Sequence, residues 1–239
     1  MASSAFALSG CLSGPGEPHP DRARLTARPA PPTGTIQPGF RALWTGTPAA
    51  FIIVPDSYDP GRPLPLAVAL HGAGGSAQGP INLLGAHAQS SEFILLVPES
   101  AGQTWDVILD DYGPDIATLD RALRRTFELC AVDPARITLE GFSDGASYAL
   151  GVGITNPEVF RRVTAFSPGF VSPALARATR PSIFISHGTD DPILPIDDTS
   201  RRIVPELEGS VFTVTYMEFP GGHEVPPAVV QSAVTFMVS

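Results

Sequence analysis

Residues Arg136-Ile-Thr-Leu-Glu-Gly-Phe-Ser-Asp-Gly145 decide the reading of this chain. Ile137 to Leu139 is a short apolar run of the kind buried in a parallel sheet. It leads into Gly141-Phe142-Ser143-Asp144-Gly145, a G-x-S-x-G. Ala146 to Leu150 then reads as the start of a helix packed with small residues. Strand, sharp turn and helix are the context in which this motif is a nucleophile elbow. Gly141 and Gly145 flank a turn so tight that a side chain at either would strike the neighbouring strand or helix. Ser143 is expected at the tip, strained, above the N-terminus of the following helix.

Outward from that stretch, strand-like and helix-like segments alternate. Phe40 to Trp44 and Ala50 to Val54 read as a hairpin across Thr-Gly-Thr-Pro. Leu64 to Leu70 is a nearly continuous apolar run, hence a central strand covered on both faces. It ends in His71-Gly72-Ala73-Gly74-Gly75. A helical pattern through Ile81, Leu83, Leu84 and Ala88 precedes a buried strand from Phe93 to Val97. Pro98 to Gly113 reads as an irregular loop holding Trp105. Asp115 to Leu129 carries apolar residues at Ile116, Leu119, Leu123 and Phe127, the spacing of an amphipathic helix. Val163 to Phe166, Ser182 to Ser186 and Val211 to Met217 read as strands, and Thr199 to Leu207 and Pro227 to Met237 as helices. This order predicts an α/β fold: a mostly parallel, doubly wound sheet with helices on both faces and no separate cap domain. The glycine-, histidine- and aspartate-bearing turns all fall just after strands, on the carboxyl edge where such sheets form sites.

Composition narrows the function. The chain has 239 residues, 43% of them apolar, which suffices for one core. Net charge is −9, with 15 Lys plus Arg and no basic run longer than two, which argues against nucleic acid and anionic membranes as partners. No run of 18 apolar residues predicts a transmembrane segment. Cys11 and Cys130 give no disulfide framework, and Cys130 reads as a buried small hydrophobe. No His/Cys cluster calls for a metal, and no cofactor is expected. Residues 1–37, rich in Ala, Ser, Gly and Pro, read as a linker-like tail that adds nothing to the core, leaving residues 38–239 as the domain. Leu8-Ser9-Gly10-Cys11 is similar to a lipobox without its basic leader. The compartment is therefore either the cytoplasm or, if that motif ends a truncated signal, the cell envelope.

For a serine hydroxyl to attack an ester, a base, an orienting carboxylate and oxyanion donors are needed. The chain offers them in the order Ser, Asp, His. Ser143 is the candidate nucleophile. The candidate base is His223, in a Gly-Gly-His turn after the last strand. His71 and His187, each before a Gly at a strand end, read as loop anchors, while His19 lies in the tail and His87 on a helix. The acid is Asp190 or Asp191. One oxyanion donor is the amide of Asp144, and the other comes from the loop after Leu70.

Together the His71–Gly75, Gly141–Gly145, His187–Pro195 and Gly222-His223 stretches resemble the α/β-hydrolase superfamily, over roughly residues 48 to 238. Within it the chain resembles the phospholipase/carboxylesterase and dienelactone-hydrolase-like esterases. The resemblance implies that Asp191 is the acid, because it matches the Asp of H-G-x-x-D-x-x-(V/L)-P. It also implies Ala73, with Gly74 second, as the other oxyanion donor. Gly74 is expected along the substrate pocket, and Trp105, in the loop on the same edge, either walls that pocket or packs into the core. A carboxylate at position 144, where many hydrolases are uncharged, is expected to disfavour anionic substrates if it points inward. The implied activity is a serine carboxylesterase for small to medium esters, working through an acyl-enzyme. Polyester, polyhydroxyalkanoate and feruloyl esterases share the same triad, so the ester partner is small or polymeric. A non-catalytic binding protein on this fold is the alternative of another class.

Overall fold

The computed structural model describes residues 5–6, 19–175 and 178–239. Eight strands form one sheet: β1 Gly39–Trp44, β2 Ala50–Val54, β3 Leu64–Leu70, β4 Ile94–Pro98, β5 Val132–Phe142, β6 Arg162–Phe166, β7 Ser182–Gly188 and β8 Val214–Phe219. Their spatial order is β8-β7-β6-β5-β3-β4-β2-β1. Only β1–β2 and β2–β4 pair antiparallel; the other five pairs are parallel. The helices are α1 Gln78–Ser90, α2 Asp106–Leu109, α3 Pro114–Leu129, α4 Asp144–Thr155, α5 Ser200–Gly209 and α6 Pro227–Val238. This is the α/β-hydrolase architecture that the alternating pattern predicts.

Side-chain alternation along β3 separates two layers. Leu66, Val68 and Leu70 join the core formed with Leu119 and Leu123 of α3 and Tyr148, Leu150 and Val152 of α4. Ala67 and Ala69 pack with Leu84 and Ala88 of α1 and Val230 and Val234 of α6. All seven β3 residues are buried, as an apolar run covered on both faces requires. On α3, Ile116, Leu119, Leu123 and Phe127 all turn inward. Leu70 pairs with Gly141, Phe142 with Phe166, Phe166 with Ser186, and Gly188 with Phe219, so five strands finish on one rim. Between β6 and β7 stand only residues 167–181. Among the described residues no helix is long and apolar enough to cross a membrane.

Two expectations need correction. The run predicted as a strand from Val211 begins at Val214. Val211 has φ 65 and donates to the carbonyl of Glu208, while Phe212 donates to that of Leu207, so these residues are still closing the end of α5. The second concerns residues 1–37, expected to add nothing to the core. Ala23, Leu25 and Ala27 are buried within it. The Leu25 amide donates to Asn156 Oδ1 at 2.8 Å, and the Thr26 and Ala27 amides to Asp120 Oδ1 at 2.7 and 2.6 Å. Asn156 returns a bond to the Ala23 carbonyl at 2.8 Å. Alternation of Ala23, Leu25 and Ala27 with Arg22, Arg24, Thr26 and Arg28 is the signal that fits this edge-on packing. Ala5–Phe6 also pairs antiparallel with Ala174–Leu175. The Leu8–Cys11 motif lies outside the described residues. Cys130 is buried, and burial pushes its thiol up to about 12.

Candidate active site

The elbow forms where β5 runs into α4. A Cβ on Gly141 would overlap the backbone of Gly145 and Ala146, and one on Gly145 would sit 2.5 Å from the His71 carbonyl. Only glycine permits the strand, the helix and the His71 turn to approach so closely. Ser143 at the tip has φ 57 and ψ −119. Such backbone persists when its surroundings over-determine it. Here the Ser143 amide donates to Phe166 O at 2.9 Å, and its carbonyl accepts from Ala146 and Ser147 at 3.0 and 3.1 Å. Its hydroxyl is held over the N-terminus of α4.

His223, in the turn between β8 and α6, has its Nε2 2.9 Å from Ser143 Oγ and its Nδ1 2.6 Å from Asp191 Oδ2. With a carboxylate at Nδ1, that nitrogen carries the proton and Nε2 is left to accept from the hydroxyl. The Phe142 ring lies against the imidazole, centroids 4.7 Å apart. Asp191 is buried in the turn after β7. Its Oδ1 accepts from the amides of Ile193 and Leu194, both at 2.9 Å. Burial alone would raise its pKa, but the Leu194 amide, His223 and the Ile193 amide together hold it below the ordinary carboxylate value. His187 anchors this turn from below, with Nδ1 2.7 Å from Ser200 Oγ and Nε2–H shared between Leu194 O at 2.8 Å and Asp191 Oδ2 at 3.2 Å. Burial lowers its pKa, which keeps it neutral. Asp190 is exposed, and among the described residues its carboxylate accepts only from the neighbouring Thr189 hydroxyl, at 3.2 Å.

The turn after β3 runs beside the elbow: a Cβ on Gly72 would lie 3.2 Å from Ser143 Cβ. Among the described residues, the amides of Ala73 and Asp144 have no protein acceptor. Gly74, exposed at φ 66, donates its amide to Gln103 O at 2.6 Å, so it is not a second oxyanion donor. The Asp144 carboxylate is turned aside and accepts from Thr104 Oγ1 at 2.6 Å. Trp105, open from sequence between pocket wall and core, has no exposed surface. Its Nε1–H donates to the His71 carbonyl at 2.8 Å, and its ring packs between His71 and Tyr148, centroids 5.1 and 5.0 Å away. It underpins the turn instead of lining a cleft, because an indole with a buried carbonyl in reach satisfies both its apolar face and its donor there. His71 bridges the same region, its Nε2 accepting from the Ser100 amide at 3.2 Å. Thr104, His187 and Phe142 were not singled out as site residues from sequence. The H-G-x-x-D spacing was the one available signal, for His187.

A serine, an imidazole and a carboxylate in hydrogen-bonded series at the strand ends of this sheet define a serine hydrolase of the α/β-hydrolase fold. The phospholipase/carboxylesterase family model matches residues 114–239, and the chain belongs to that family: it is a carboxylic ester hydrolase. Feruloyl esterase C of Emericella nidulans is 25% identical over 75% of this chain and 77% of its own. Two solved structures share the fold. One is Thermogutta terrifontis esterase 2 phosphorylated by paraoxon, with TM-score 0.67 and 17% identity over 84% of this chain and 92% of that one. The other is a ferulic acid esterase from Anaeromyces mucronatus in complex with ferulic acid, with TM-score 0.59 and 17% identity over 84% and 89%.

Proposed function

We propose that Ser143 is the nucleophile, His223 the general base and acid, and Asp191 the carboxylate that orients it, with the amides of Ala73 and Asp144 receiving the oxyanion. The observation that carries this reading is the unbroken line from Asp191 Oδ2 through His223 to Ser143 Oγ, at 2.6 and 2.9 Å. As Oγ bonds to the ester carbonyl carbon, its proton passes to Nε2 and the carbonyl π pair moves onto oxygen, toward the two free amides. Collapse re-forms the C=O bond and expels the alkoxide, which takes the proton from Nε2 and leaves as the alcohol. Water then attacks the acyl group, giving its proton to Nε2. Ser143 departs with that proton and the acid is released. Asp191, held ionised, stabilises the imidazolium formed in each half.

The substrates are neutral carboxylic esters of small to medium size. The net charge of −9 disfavours anionic ones. The short 167–181 connection supports an open cleft, since residues of an inserted cap are missing there. Turnover of p-nitrophenyl acetate and butyrate by the native chain and Ser143→Ala tests the site, with diethyl p-nitrophenyl phosphate as the covalent probe. Native activity, its loss in Ser143→Ala and a diethylphosphoryl group on Ser143 are expected. Turnover surviving in Ser143→Ala overturns the assignment, and absence of both turnover and labelling in the native chain favours a binding protein. A second reading, hydroxycinnamoyl esters, is favoured by the 25% identity to feruloyl esterase C. It predicts a higher kcat/KM for methyl ferulate than for methyl butyrate.

A further inference from the structure

The mechanism makes no use of Asp115, a buried carboxylate on the first turn of α3. Its Oδ1 accepts from the Ala101 amide at 2.6 Å and its Oδ2 from the Asp106 amide at 2.8 Å, so one side chain grips both ends of the segment 101–106. Asp106 answers in kind: its Oδ2 accepts from the amides of Gly113 and Asp115 at 2.8 and 2.9 Å. Two carboxylates thus close the irregular loop on itself, each receiving a backbone donor from the other's residue.

What lies between the gripped ends makes this more than a loop staple. Gln103 O receives the Gly74 amide at 2.6 Å, one residue past Ala73. Trp105 Nε1–H donates to His71 O at 2.8 Å, just ahead of Ala73. Thr104 Oγ1 donates to Asp144 Oδ2 at 2.6 Å. A single short segment therefore touches the chain on both sides of one proposed oxyanion donor and the side chain of the other. We propose that Asp115 is a positioning residue for the oxyanion hole, acting through residues 101–106 to fix where the Ala73 and Asp144 amides point. The inference rests on the reading of those two amides given above. Donors of this kind act only when aimed at the developing charge, and a displacement of about 1 Å costs on the order of a hundredfold in rate.

Asp120, one turn and a half further along α3, supplies a matched control. It too accepts from two backbone amides, those of Thr26 and Ala27, but among the described residues it makes no hydrogen bond to the 101–106 segment. Asp115→Asn keeps the shape while turning an NH2 group against one of the two amides. Three quantities are measured on Asp115→Asn and Asp120→Asn: kcat, KM, and Ki for a phenethyl trifluoromethyl ketone. Ser143 adds to that ketone to form a tetrahedral oxyanion. In Asp115→Asn, kcat should fall about tenfold to a hundredfold and Ki should rise in step, with KM within about threefold. Asp120→Asn should lose stability and leave Ki within about threefold. Should Asp115→Asn not fold, Trp105→Phe removes the indole donor to His71 O and leaves a smaller aromatic ring in its place, and the same paired change is expected. An unchanged Ki in a folded Asp115→Asn, or in Trp105→Phe where that variant stands in, overturns the inference whatever happens to kcat. If Ser143→Ala retains turnover, the reading of the site itself fails instead.

Discussion

Glu140, the residue before the elbow, is the place where stability and pH should meet most visibly. It is 1% exposed, on the face of β5 that carries Phe142, and among the described residues its Oε2 has no hydrogen-bond partner. Burial pushes its carboxyl up to about 8 from an ordinary 4.5. Between those values the folded chain holds a proton that the unfolded chain releases, so stability is full below 4.5 and is lost as pH rises toward 8. At about 1.4 kcal/mol for each pH unit between the two states, the span is worth about 5 kcal/mol, and solvent screening does not reduce it for a group this buried. Glu140→Gln removes the titration at nearly constant volume. Urea unfolding followed by fluorescence from pH 5 to 9 reads both chains, and their difference cancels the slopes contributed by other groups. The expected result is a stability gap that shifts in favour of Glu140→Gln by several kcal/mol between pH 5 and 9. Parallel curves would refute the reasoning, since they would mean that the carboxyl ionises in the folded protein at no greater cost than in water.

Three further outcomes follow from the geometry. Asp191→Asn should lower kcat for p-nitrophenyl butyrate by about 10³–10⁴-fold, whereas Asp190→Asn should stay within about threefold; the reverse ranking would move the acid to the exposed residue. Leu25→Ala should cost about 2–4 kcal/mol in urea unfolding with KM unchanged, because the side chain is 3% exposed and packed in the main core. A cost under about 0.5 kcal/mol would restore the linker reading. Gly145→Ala should yield no soluble folded chain on size exclusion, since its Cβ would meet the carbonyls of His71 and Leu70 at 2.5 and 2.6 Å.

How much of this was legible in sequence depends on what kind of group does the work. β3 matches its expected bounds residue for residue, because seven consecutive buried positions leave a continuous apolar run in the text. Ser143, His223 and the two candidate aspartates were legible because their side chains sit in turns marked by glycine. Asp190 and Asp191 were told apart only by a family motif; in three dimensions the Ile193 and Leu194 amides fold back onto Asp191 and leave its neighbour in solvent. Trp105 stayed open between pocket and core because a large aromatic in a polar loop gives no hint of which surface it covers, and its partner is a backbone carbonyl, which sequence never displays. The N-terminal segment was missed for a related reason. Its hold on Asp120 and Asn156 runs through backbone amides across some 90 to 130 residues of chain.

Those examples share a physical theme that bears on the acidic balance of the chain. Asp106, Asp115, Asp120 and Asp191 each accept two or more backbone amides, and each fixes a segment without regular structure. A net charge of −9 is thus partly an inventory of loop acceptors and not simply a solvated surface. The consequences for pH oppose one another. Asp120 and Asp191 have lowered pKa values, so the stability they contribute is present above 3.8 and drains away as pH falls through the depressed values. Asp115, pushed up to about 6 chiefly by burial, and Glu140, pushed up to about 8, act in the other direction, losing stability as pH rises through their windows. As pH rises through about 6 and then about 8, the ground is given up beside the turn after β3 and beneath the elbow. As pH falls below 3.8 it is given up at Asp191 and the N-terminal clasp, so rising and falling pH should unsettle different parts of the molecule.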